Sequence, residues 1–239
     1  MSVRFSQQSR RTRRTARQRP HLFGRGGRDR VLTCIAVNGP LHVRAISRLI
    51  GSDSRKTFDM VRQLEEAGLV LKRNDTGARR IVALDKQMGL LYFKLRDLLL
   101  ALDEHWPVKR TDETPFYPKA QMRGTTPLDD DRIERWFTSV PRSRTLLYVA
   151  AVGRTNMSDL SVRANVGPGS ALNAVNFWER QGVLRSDVFG IHRVVELNEA
   201  FPVADELWRV LNALVSRSEK YAELRRVALE IGPYREALR

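Results

Sequence analysis

The segment around residue 60 separates two kinds of side chain. Arg55, Lys56, Asp59, Arg62 and Gln63 alternate with Phe58, Val61 and Leu64 at helical spacing. With 3.6 residues per turn, burying the apolar set leaves the polar set facing solvent. Arginine and lysine near the start of such a helix can donate to guanine O6 and N7, and Arg62 can reach a phosphate. Arg44 and Arg48, one short helix earlier, suit backbone contacts. Lys72, Arg73, Arg79 and Arg80 flank the turn Asn74-Asp75-Thr76-Gly77, placing four cations on a hairpin. Ser54, or Ser52, can cap the helix because a small hydroxyl accepts from its first free amides.

Elements are needed to hold these groups in place. A first helix is predicted over 28–38, with Val31, Leu32, Ile35 and Ala36 inward and Gly39-Pro40 ending it. A second follows at 42–50, stopped by Gly51, and a third runs from about 54 to 67, stopped by Gly68. Leu69-Val70-Leu71 and Ile81-Val82-Ala83-Leu84 form the hairpin.

The pattern recurs 114 residues later without a gap. Ile46 aligns with Leu160, Phe58 with Leu172, Val61 with Val175, Leu64 with Trp178, Gly68 with Gly182 and Leu69 with Val183. The second copy predicts helices at about 142–152, 157–165 and 169–181, then a hairpin through about 197. Helix, turn, helix and hairpin in this order make a winged helix-turn-helix, whose last helix commonly enters the major groove of DNA. In the second copy that helix presents Ser170, Asn173 and Asn176, with Arg193 near the hairpin turn Phe189-Gly190. Asparagine can read adenine but is also an ordinary surface residue. Over residues 44–80 there are nine cations and five acids, against four and three over 158–194. The second copy could therefore be an assembly domain that uses Phe177 or Phe189.

The expected fold is mainly α with small β-wings: two winged helix-turn-helix domains in tandem, each followed by a long helix, plus a disordered basic N-terminal arm. The arm spans 1–27, and residues 1–30 hold ten arginines and one acid. Its densest part is Arg10, Arg11, Arg13 and Arg14. An Arg- and Ser-rich start also fits a mitochondrial transit peptide, but only Val3, Phe5, Ala16, Leu22 and Phe23 could form an apolar face. Domain one covers 28–106, a Pro-containing linker 107–126, domain two 127–200 and a closing helix region 201–239. Thr126-Pro127-Leu128-Asp129 resembles a capping box that opens an extra helix before Pro141. Helices at about 86–105 and 203–231 carry heptad-like seams, Met88 to Leu102 and Leu207 to Ile231. They can pair within the chain as a pseudo-dimer, pair with a second chain as a homodimer, or cover their own domains.

A net charge of +15 points to a polyanionic partner. One cysteine, Cys34, and four scattered histidines exclude disulfide frameworks and zinc sites. No apolar run reaches the ~18 residues of a membrane span, so a cytoplasmic chain without a membrane partner is expected. There is no Walker loop or nucleophile motif, and Asp129-Asp130-Asp131 suits a helix first turn. No enzymatic activity, metal or cofactor is expected. Trp106, Trp136, Trp178 and Trp208 read as core.

Residues 41–84 and 155–197 resemble the bacterial MarR- and ArsR-like regulators. The resemblance implies a transcriptional regulator that binds double-stranded DNA, with the third helix in the major groove and the wing on the minor groove or backbone. A replication or segregation initiator of a mobile element and a scaffold of a chromosome-organising complex are the rival readings.

Overall fold

The computed structural model describes residues 19–24, 27–74, 80–111 and 128–230, and of Arg73, Asn74, Arg80 and Gln87 the backbone alone. Arg10, Arg11, Arg13 and Arg14 of the expected arm lie outside these residues. The described chain divides into two units: an N-terminal one, Leu22–Ser139, and a C-terminal one from Val140 onward that also takes in residues 19–21.

In the N-terminal unit, α1 (Arg28–Asn38) ends on Gly39, as predicted. A two-residue strand, β1 (Leu41–His42), then precedes α2 (Val43–Ile50) and α3 (Ser54–Glu66). The hairpin is β2 (Val70–Asn74) and β3 (Arg80–Leu84), and β1 pairs antiparallel with β3 through Leu41 and Val82. Thr57, Met60, Val61 and Leu64 form the buried face of α3. Phe58 is only half-buried, because the face centres on Val61 and Phe58 falls at its margin.

Two further expectations change in this unit, and one of the alternatives for the seam is met. The long helix predicted from 86 is a 3₁₀ turn at Lys86–Met88 followed by α4 (Leu90–His105). Gly89 between them has φ 62° and ψ −130°, a backbone state that side chains oppose. The seam of α4, Leu91, Leu95, Leu98 and Leu102, is buried against α1 of the same unit. The arm ends earlier than residue 27: Leu22 and Phe23 are fully buried, the Phe23 amide donates to Asp29 Oδ1 at 2.8 Å, and its ring stacks on Phe137 at 5.7 Å. Two adjacent apolar groups with no other way out of water anchor the chain just before α1.

Phe137 also shows that the domain boundary predicted at 126/127 lies too early. The extra helix is one turn, α5 (Asp130–Ile133), capped by Asp129, which accepts from the Arg132 amide at 2.9 Å. Thr126 and Pro127 of the expected capping box lie outside the described residues. Ile133, Trp136 and Phe137 are fully buried, and Trp136 Nε1 donates to the Ala67 carbonyl at 3.1 Å. The start of the expected linker is also held. Asp103 accepts from the Val108 amide at 2.7 Å and pairs with Arg110, while Asn38 accepts from the Thr111 amide at 2.9 Å.

In the C-terminal unit the element order recurs: α6 (Val140–Val152), β4 (Thr155–Asn156), α7 (Met157–Arg163), α8 (Pro168–Arg180), β5 (Leu184–Phe189) and β6 (His192–Leu197). The strand order also matches, the short first strand lying beside the last. Between the second and third helices the chain passes through the left-handed region at Gly51 (φ 64°) and at its counterpart Asn165 (φ 52°). Asparagine is among the few side chains that tolerate this geometry, so one turn is made by two residue types. The ungapped alignment fails at the wing. Leu41 pairs with Val82 but Thr155 with Val195, an offset of 113, because Gly190 and Ile191 alone join β5 to β6.

The single closing helix predicted over 203–231 is two helices, α9 (Ala204–Arg217) and α10 (Glu219–Glu230). Ser218 between them is extended and buried, and its Oγ accepts from the Tyr221 amide at 3.3 Å. It acts as an N-cap, turning Tyr221 into the core. Both helices pack on α6 of their own unit. Two tryptophans depart from the expected core: Trp106 is half-buried at the end of α4, and Trp208 is 40% exposed. Among the described residues no helix is long and apolar enough to cross a membrane.

Candidate nucleic-acid interface

The helix pair α2–α3 is tied by hydroxyls. Ser47 Oγ donates to the Arg44 carbonyl at 2.9 Å, so the 3.2 Å contact between Ser47 and Ser54 is a bond donated by Ser54. The cap of α3 is Asp53, not Ser52 or Ser54. Its Oδ1 accepts from the Arg55 and Lys56 amides at 2.8 and 3.2 Å. A carboxylate thus satisfies the amides that could otherwise receive a phosphate, leaving anion recognition to side chains.

Those side chains are exposed. Arg44 and Arg48 on α2, and Arg55, Lys56, Asp59, Arg62 and Gln63 on α3, all reach solvent. Arg62 lies 3.6 Å from Glu66 in a pair so exposed that water screens most of the attraction. Lys72 differs from the free hairpin cation the sequence suggests. Its ammonium sits 2.6 Å from Glu65 and 5.0 Å from the centre of the Phe58 ring, and the side chain is only 13% exposed. It fastens the wing to α3. Neither partner was singled out as such in the sequence. Glu65 lay on a helix and Lys72 on a strand, and only the fold brings them together. Arg79 and the side chains of Arg73 and Arg80 lie outside the described residues.

Residues 29–82 match the MarR family. The match runs from α1 into β3, covering the buried helices, the cationic faces and the first part of the hairpin. It supports a winged-helix, MarR-like regulator domain here, of a family of DNA-binding transcription regulators rather than enzymes. Comparison with curated proteins gave no match.

The C-terminal unit lies beyond the matched residues. Ser170 and Asn173 are exposed on α8. Asn176 and Arg193 are instead bound to each other: Arg193 donates to Asn176 Oδ1 at 3.0 Å, Glu179 Oε2 at 2.6 Å and Ser186 Oγ at 2.9 Å. Ser186 in turn donates to Glu179 Oε1. This closed network joins α8 to the wing. Phe177, one suggested partner contact, is buried beneath Arg142, whose guanidinium lies 3.8 Å from the ring centre. Phe189, the other, remains 41% exposed. Among the described residues no cluster of His, Cys, Asp and Glu is placed to hold a metal.

Proposed function

We propose that the protein is a sequence-specific regulator of transcription that binds double-stranded DNA through its N-terminal unit. The carrying observation is the band of exposed cations on α2 and α3, within a segment that matches a family of DNA-binding regulators. In this reading α3 enters the major groove. Arg55 and Lys56 meet base edges, Ser54 and Asp59 border them, Arg62 reaches a phosphate, and Arg44 and Arg48 grip the backbone. Arg73, Arg79 and Arg80 of the wing and Arg10, Arg11, Arg13 and Arg14 of the arm add phosphate or minor-groove contacts. Lys72 acts indirectly, by holding the wing.

For the C-terminal unit, Ser170 and Asn173 are the base-reading candidates. A second reading, protein assembly, is favoured by exposed Val162, Leu172, Val188, Phe189 and Ile191 on the equivalent surface. Helix α4 and the pair α9 and α10 remain candidates for homodimer contacts only through their outer faces, such as exposed Leu90 and Phe93 on α4.

The test is selection of bound genomic fragments by the full chain, followed by titration of the selected site. Arg55→Ala with Lys56→Ala is expected to weaken that site by about tenfold or more, since a base contact contributes about 1–3 kcal/mol. Its binding to unrelated DNA should fall less. Equal losses on both DNAs would reduce these two residues to phosphate contacts, and no shared motif would overturn sequence-specific binding.

A further inference from the structure

A cavity of about 890 Å³ opens in the C-terminal unit, behind its wing. That volume is in the range of small-molecule sites. Its walls come from the end of α6, from β4 and α7, from β6, and from α9 and α10. Tyr148, Val152, Phe201, Leu207 and Leu224 supply an apolar lining. Trp208 also lines it and is 40% exposed, and among the described residues its indole N–H has no hydrogen-bond partner. An aromatic face left half-open over an apolar floor is what the core of this unit otherwise avoids: Trp178 is fully buried, with its N–H bonded to the Arg142 carbonyl at 3.0 Å.

The charges around the cavity decide what it would take. In a chain of net charge +15, the lining holds four carboxylates, Asp159, Glu196, Glu199 and Asp205, against two guanidiniums, Arg154 and Arg163. Arg154 is already placed, 3.9 Å from Glu196 and 5.0 Å from the Phe189 ring centre. Glu196 is also held by Arg185 at 2.7 Å. Glu199 and Asp205 line the cavity and are exposed, and Asp205 lies one turn before Trp208 on α9. Two carboxylates beside an open indole attract a cation twice, by charge and by the ring's negative face. The apolar floor meanwhile accepts a hydrophobic body.

We infer that this cavity binds an amphipathic organic cation, its apolar body among Phe201, Leu207 and Leu224 and its charge between Trp208, Asp205 and Glu199. Because α7 and β6 form one wall and α9 and α10 the other, occupancy would brace the helix-turn-helix of this unit against its closing helices. The inference is independent of DNA binding.

The probes are tetraphenylphosphonium and tetraphenylborate, nearly equal in shape and opposite in charge, titrated into the nucleic-acid-free full chain by calorimetry and tryptophan emission. One phosphonium ion per chain is expected to bind saturably. Asp205→Asn with Glu199→Gln, both at exposed positions, should weaken it about tenfold, and Arg163→Ala should strengthen it. Trp208→Phe should remove the emission change while retaining most of the affinity. Unsaturable or absent phosphonium binding would overturn the inference, as would affinity indifferent to the carboxylate changes. So would a tetraphenylborate complex that is tighter and equally dependent on Trp208.

Discussion

The two units repeat one order of elements and carry different surfaces on it, cationic on one and uncharged at the same positions on the other. At Arg44, Arg48, Arg55, Lys56 and Arg62 of the N-terminal unit, the C-terminal unit has Ser158, Val162, Gly169, Ser170 and Asn176. At Ala45, Ile46, Val61 and Leu64 it has Asp159, Leu160, Val175 and Trp178, so three of these four buried positions stay apolar and the fourth carries the half-buried Asp159. Buried side chains are held by close packing, in which a change of volume or polarity is felt at once. Exposed positions carry no such constraint, and partner choice is written there. The difference separates what makes the fold from what the fold is used for.

The strut between the third helix and the wing shows the same division. Glu65 and Glu179 occupy equivalent positions, and each binds a cation of its own wing. In the N-terminal unit the cation is Lys72 on the outgoing strand, a single ion pair. In the C-terminal unit it is Arg193 on the returning strand, whose guanidinium also binds Asn176 and Ser186. A planar fork with several donors can close a network that an ammonium cannot.

The largest effect should come from Trp136. Trp136→Ala removes a fully buried indole and leaves the Ala67 carbonyl without its donor, at a cost of about 3–5 kcal/mol. Hydrogen exchange read by mass spectrometry should show the loss in α1, α3 and α4 and leave α6 and α8 unchanged. Faster exchange in α6 instead would return residues 128–139 to the C-terminal unit.

The struts give a smaller contrast. Glu179→Gln breaks a half-buried network and should cost the C-terminal unit about 1–3 kcal/mol. Glu65→Gln, which loosens one ion pair with a more exposed carboxylate, should cost the N-terminal unit no more than about 1 kcal/mol. Thermal or urea melts of the two variants against the parent check the order, and equal losses would mean that the extra bonds of Arg193 add nothing.

Much of this was readable from the sequence where the determining contacts are local. The bounds of α1 and α3 follow from apolar spacing and from Gly39 and Gly68, each within a turn of the helix it ends. The position of 128–139 was not readable, because Trp136 meets a carbonyl 69 residues away. Nor was the break at Ser218. The apolar rhythm from Leu207 to Tyr221 continues across it, while the cause is a buried hydroxyl taking the next amide. At the interface, exposure of Arg55 and Lys56 followed from helical period. The captured state of Lys72, Asn176 and Arg193 depended on strand register, which composition does not encode.

Cys34 offers the finest probe of the comparison, since the single thiol lies in the N-terminal unit and reports on it alone. Burial pushes its thiol from 9.0 up to about 11, against the weaker opposing effects of the Asn38 amide and the Arg30 charge. The folded state therefore holds the proton more tightly than the unfolded chain. The stability this contributes is full below pH 9.0 and is lost as pH rises from there through about 11. At pH 8 the thiolate is rarer than in an unfolded chain by about 100-fold, before steric protection is counted. Alkylation by iodoacetamide should accordingly be slow in the parent chain and faster in Trp136→Ala, whose N-terminal unit opens more often. Glu179→Gln, which weakens only the other unit, should leave the rate as it was. An accelerated rate in that variant would show that the two units do not open independently.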